Sequence, residues 1–109
     1  MKEVNECHSK IACTKVTKLL GDYWVLSIIA VLGDESLRFC ELQRRLDMVN
    51  PVTLTNRLQQ LEESKLVERK TGLVDEISVT YSLTSLGKDA LHVVDAINTF
   101  AKKCEKALS

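Results

Sequence analysis

The sequence predicts a mostly α-helical domain that carries a small β-hairpin wing and pairs with a second copy of itself through its terminal helices. Three observations predict this. The stretch VNPVTLTNRLQQLEE, Val49 to Glu63, sets leucines at helical spacing against a face of amides and hydroxyls. Ile77 to Leu83 alternates apolar and polar residues with a period of two, the mark of a half-buried strand. Thr84 to Leu108 then carries an apolar stripe over about six turns, more than one small domain can cover.

Lys10 to Leu20 reads as a first helix with Ile11, Val16, Leu19 and Leu20 facing inward, and Gly21 is placed to end it through a left-handed turn. Asp22 is a candidate cap for the next helix. That helix, Tyr23 to Leu32, is apolar on nearly every side and therefore belongs in the middle of the domain, with Gly33 as its stop. After the polar turn Asp34 to Ser36, a short third helix sets Phe39, Leu42 and Leu46 on one side and Glu41, Arg44 and Arg45 on the other.

The link Asp47 to Asn50 is short enough to force a steep angle between the third and fourth helices, the arrangement of a helix-turn-helix. Asn50 can cap the fourth helix, and Pro51 takes the first helical position, where a missing N–H costs nothing. Leu54, Leu58 and Leu61 face inward. Val52, Thr53, Asn56, Gln59 and Gln60 lie opposite, flanked by Thr55 and Arg57, with no acid before Glu62. Such groups suit base edges and phosphates, so this is the candidate reading helix; the bland alternative is an ordinary polar surface.

From Leu66 the helical period disappears. Leu66 to Lys70 and Ile77 to Leu83 form two extended runs around the Gly72 turn; in the second, Ile77, Val79, Tyr81 and Leu83 face the core, and Ser78, Thr80 and Ser82 face out. Thr84 can cap the last helix. Its apolar positions are Leu86, Ala90, Val93, Val94, Ile97, Phe100, Ala101, Cys104 and Leu108. The excess stripe is expected to pack against the same helix of a second subunit, with Ile11 of the first helix joining Val93, Ile97, Phe100 and Cys104 in the interface. Residues 1–109 read as one domain of winged helix-turn-helix type.

Composition narrows the functional classes. At 109 residues and 45% hydrophobic, the chain has material for a modest core. Fifteen basic and fifteen acidic residues cancel, so any DNA contact must come from a local patch. The opening MKEVNECHSK has acids and no apolar run, and Trp24 to Leu32 falls short of the roughly 20 residues that span a bilayer. A cytoplasmic location without membrane contact is expected. Cys7, Cys13, Cys40 and Cys104 show no paired metal-ligand spacing and read as free thiols. Cys7, His8 and Cys13 lack a fourth ligand, so neither metal nor cofactor is expected, and His92 reads as an ordinary helix residue. No Gly-rich phosphate loop or facing pair of acids suggests an enzyme.

With these elements in place, four blocks of sequence become recognisable: LLGDYWVLSII at Leu19 to Ile29, LRFCEL at Leu37 to Leu42, VNPVTLTNRLQQLEESKLVER at Val49 to Arg69, and YSLTSLG at Tyr81 to Gly87. Together they resemble the HxlR-type winged helix-turn-helix transcriptional regulators, relatives of the MarR group. The resemblance implies a homodimer on double-stranded DNA, bound to an inverted repeat with the reading helices in successive major grooves. By position it assigns DNA contact to Asn50, Thr53, Thr55, Asn56 and Arg57, beside the exposed Val52, and places Arg38 either on a phosphate or in a structural tie.

Two departures bear on function. The family wing is usually proline-rich with a basic residue before the YSLT strand, whereas this chain has TGLVDEIS, with Asp75 and Glu76 near the tip and Ser78 in the basic slot. Wing contacts to the DNA backbone are accordingly assigned to Arg69 and Lys70 alone. Many members sense oxidants or electrophiles through a cysteine at the start of the first helix. Cys13 is nearest in position, with Cys7 as the alternative, and Lys10 and Lys15 beside Cys13 would favour its thiolate. An inert helix cysteine is the competing reading. An oxidant or small-molecule effector is therefore a candidate partner. The function read from sequence is that of a sequence-specific DNA-binding regulator, with a winged-helix protein-interaction module as the alternative. Steep weakening of binding with salt would separate the first from the second.

Overall fold

A computed structural model describes residues 14–72 and 79–108 of the chain. The expectations for Cys7, Ile11, Cys13, Asp75, Glu76, Ile77 and Ser78 fall outside those residues. The described elements run α1 (Thr14–Leu20), α2 (Tyr23–Leu32), β1 (Leu37–Arg38), α3 (Phe39–Arg45), α4 (Pro51–Glu63), β2 (Val67–Thr71), β3 (Val79–Leu83) and α5 (Ser85–Leu108). Among them no helix is long and apolar enough to cross a membrane.

The apolar helix α2 is the centre of the molecule. Val25, Ile28, Ile29 and Leu32 are fully buried, and α1, α3, α4, β3 and α5 all pack on α2. Asp22 caps it as expected, its carboxylate accepting from the N–H groups of Trp24 at 2.9 Å and Val25 at 3.1 Å. Gly33 ends it at φ 48°, where a side chain would be strained, and donates to Ile29 O at 3.1 Å.

Gly21 is a correction. It does not adopt a left-handed φ; α1 ends instead with Gly21 N donating to Thr17 O at 2.9 Å and Asp22 N to Leu19 O at 3.2 Å. The chain turns there through ordinary backbone. Val16, expected inside, and Leu86, on the apolar stripe of the last helix, are 38% and 53% exposed. They line an apolar groove with Leu20, Leu66, Ala90 and Val93, because α1 and α5 approach each other without closing over it.

The turn between α3 and α4 places Asp47 and Met48 in left-handed backbone, at φ 56° and 58°. Met48 N donates to Gln43 O at 2.8 Å, and the Gln43 side chain donates to Val49 O at 3.0 Å, so both the start and the end of the turn are tied to α3. Helix α4 begins as anticipated: Asn50 Oδ1 accepts from Val52 N at 2.8 Å and Thr53 N at 3.4 Å, with Pro51 in the first turn. Leu54, Leu58 and Leu61 are buried against the core.

The wing is more than a hairpin. Leu37 and Arg38 form a third antiparallel strand, and the sheet order is β1-β3-β2, with Tyr81 between Leu37 and Arg69 and Thr80 between Arg38 and Lys70. With β3 in the centre, Val79 to Ser82 are all half-buried and only Leu83 is buried, so the sharp alternation expected of a two-stranded ribbon is damped. Thr84 joins the sheet to α5. Its hydroxyl donates to Lys65 O at 2.6 Å and accepts from Gly87 N at 3.0 Å.

Candidate nucleic-acid interface

Once its leucines are anchored, α4 turns Val52, Thr55, Asn56, Gln59 and Gln60 to solvent, with Thr53 half-buried at the edge. Val52 is 67% exposed, as is Met48 in the preceding turn. None of the side chains of Thr55, Asn56, Gln59 and Gln60 is hydrogen-bonded to another described residue, so their donors and acceptors are available to an outside partner. Asn50 has one oxygen committed to the cap and keeps its amide donors. Together these residues make a strip about three turns long of short, uncharged polar groups around an exposed apolar side chain.

Arg57, on the flank of this face, is half-buried and makes a bond within the protein. Its Nε donates to Asp22 Oδ1 at 3.1 Å, across thirty-five positions of sequence, and so ties α4 to the corner between α1 and α2. Burial alone would raise the Asp22 carboxyl; the bond from Arg57, with the Val25 and Trp24 amides, outweighs it and holds the carboxyl below its ordinary value. The carboxylate stays charged at neutral pH. Beside the pair opens a cavity of about 380 Å³ lined by Lys15, Lys18, Leu19, Gln60, Glu63 and Ser64.

The remaining basic candidates lie on the sheet. Arg38 and Lys70 share one face in a row across Thr80, while Arg69 lies on the other face beside Tyr81. Arg69 therefore borders α4, in a cleft of about 340 Å³ shared with Thr55, Gln59 and Glu62. Lys70 pairs with Glu68 at 3.2 Å. Arg38 is exposed, and its N–H donates to Glu41 Oε1 at 2.9 Å, which makes the RF-x-EL block the joint between β1 and α3.

Val93 and Ile97 are 42% and 41% exposed, Phe100 67%, and Cys104 is exposed on the same stripe of α5. Cys40 is exposed on α3, and both described thiols are free. Among the described residues no three His, Cys, Asp or Glu side chains gather to hold a metal.

A helix-turn-helix with an uncharged polar face on its second helix, a three-stranded wing and a long terminal helix is a specific combination, and residues 19–108 match the HxlR-like helix-turn-helix family model. The chain belongs to the HxlR-like family. It is 34% identical over 88 residues to the HTH-type transcriptional regulator YodB of Bacillus subtilis, covering 80% of this chain and 79% of that protein. An uncharacterized HTH-type transcriptional regulator of Methanothermobacter thermautotrophicus is 30% identical over 96 residues, covering 88% and 70%. The reduced form of YodB superposes with a TM-score of 0.73 at 32% identity, covering 85% of this chain and 94% of that one. YodB has also been solved with quinone bound. Like these relatives, this HxlR-like chain is a DNA-binding transcriptional regulator of winged helix-turn-helix type.

Neither β1 nor the Arg57–Asp22 bond was found from sequence. A two-residue strand carries no period, and nothing in a helical wheel points to a partner in another helix.

Proposed function

We propose that the protein is a sequence-specific regulator that binds an inverted-repeat operator as a homodimer and responds to an oxidant, an electrophile or a small effector. The observation that carries this reading is the outward face of α4, where Val52, Thr55, Asn56 and Gln59 stand exposed with no acid among them. Thr53 and Asn50 flank the face, and Arg38, Arg69 and Lys70 supply charge for phosphates on either side. Arg57 contributes through its tie to Asp22. Two copies joined along α5 would set their reading helices about one helical turn apart, in successive major grooves. The effector arm draws on the quinone-bound YodB, with Cys7 and Cys13 as the candidate thiols and no cofactor required.

Sequencing the genomic fragments that the purified protein retains, with and without a quinone, tests the whole reading. A shared inverted repeat is expected, released on oxidation. Asn56→Ala should then lose roughly 1–3 kcal/mol of discrimination at the base pair it reads, while the dimer stays folded. Retention of no common sequence would overturn the proposal. The exposed apolar Val52 and Met48 support a second reading, a docking surface for another protein. Its binding would change little with salt, whereas phosphate contacts weaken steeply.

A further inference from the structure

One carboxylate oxygen in this molecule accepts three donors from two elements. Asp22 Oδ1 takes the N–H groups of Trp24 and Val25 at the start of α2, and the Nε–H of Arg57 from the middle of α4, at 2.9, 3.1 and 3.1 Å. The side chains of Arg57 and Asp22 are 28% and 31% exposed, so the pair is partly shielded from water. Leu54, Leu58 and Leu61 bury the inner face of α4 against the core. Apolar packing seats α4 on the core, and a directional bond adds a defined orientation about the helix axis. Among the described residues, the Arg57–Asp22 bond is the one side-chain hydrogen bond between α4 and another helix.

We propose that Asp22 is a positioning residue for sequence discrimination. By fixing the guanidinium of Arg57 it sets the roll of α4, and with it which of Thr53, Thr55, Asn56 and Gln59 meets each base edge. A roll of one side chain's width exchanges the groups presented to a base pair while leaving the phosphate contacts of the wing in place. Selectivity therefore depends on a residue that touches no DNA. This inference rests on the DNA-reading function proposed above.

Asp22→Asn separates the two tasks of the oxygen, because asparagine caps a helix about as well as aspartate but removes the charge that holds Arg57. The measurement is fluorescence anisotropy of the full chain on the operator recovered by genomic selection and on a scrambled duplex of equal length. Asp22→Asn should lower the operator-to-scrambled affinity ratio about tenfold, with the scrambled-duplex affinity within error of the parent at a temperature where both proteins are folded; the melting temperature falls modestly, because a charge-assisted bond is lost. Arg57→Gln should cost the same ratio in the parent and nothing more in the Asp22→Asn background, since both act through one bond. A purely structural role would instead weaken both duplexes together, leaving the ratio intact.

An unchanged ratio in Asp22→Asn would overturn the proposal. So would a full Arg57→Gln loss on top of it, or a fall of about one unit in the salt slope on replacing Arg57, since either makes Arg57 a DNA contact in its own right. If the parent protein itself fails to discriminate the duplexes, the DNA-reading function falls and this inference with it; discrimination that Asp22→Asn leaves untouched removes only the inference.

Discussion

Val52 is an apolar side chain at the second position of α4, the helix proposed to read DNA, two-thirds exposed and near Asn50, Thr53 and Asn56 in sequence. The first residues of such a helix reach deepest toward base edges, and the one apolar group a major groove offers is the 5-methyl of thymine. Val52 is expected to rest on that methyl. Replacing single thymines of the operator with deoxyuridine deletes the methyl alone. At one position per half-site this should weaken the parent protein severalfold, about 1 kcal/mol for a buried methyl, and leave Val52→Ala unaffected. Equal sensitivity of the two proteins at every thymine would discard the assignment. At this scale, the cap at Asn50, the proline after it and the leucine stripe were all legible, because each depends on neighbours within a turn or two. The setting of Arg57 was not. Its partner lies thirty-five residues away, and only the folded arrangement of α2 and α4 brings the two charges together.

The boundaries of α2, α4 and α5 followed the sequence closely, since these helices have strong apolar patterns and polar caps. The wing was legible as two strands but not as three, because Leu37 and Arg38 reveal themselves as a strand only by pairing with Tyr81 and Thr80. The block YSLTSLG, matched as a family signature, has a structural reason. Tyr81 sits at the middle of the sheet, Leu83 enters the core, Thr84 bonds both Lys65 and the first turn of α5, and Gly87 lets that helix lie directly on the β2 side of the sheet. A Cβ on Gly87 would lie 2.0 Å from the backbone oxygen of Leu66 and 3.1 Å from Leu83 Cδ2. Backbone has to move to admit it. Gly87→Ala should therefore destabilise the fold by about 1–3 kcal/mol or more, although alanine is the better helix former. Urea unfolding followed by circular dichroism would show this as a lower midpoint at unchanged slope. A midpoint equal to or above the parent's would show that α5 does not rest on Leu66 as described.

The molecule is more extended than its length requires, with a radius of gyration of 15.9 Å against about 13 Å for a compact chain of this size. Gly87, Ala90 and Val94 bury the first half of α5, and every described residue beyond Val94 is exposed. Leu86, Val93, Ile97, Phe100, Cys104 and Leu108 nevertheless keep three-and-four spacing to the end, an ordered apolar stripe on a helix of twenty-four residues. Exposed apolar surface of that regularity is costly in water, and a twofold partner presenting the same stripe removes the cost on both copies at once. Because Ile97 and Phe100 contribute nothing to the core of one chain, Ile97→Ser with Phe100→Ser should leave the melting of a dilute sample almost unchanged while sedimentation shifts from dimer to monomer. Operator affinity should then fall on the order of a hundredfold, since two half-sites are no longer engaged by one particle. Binding to a single half-site should barely change. A double variant that still sediments as a dimer would place the partner surface elsewhere, with the apolar groove between α1 and α5 as the next surface to test.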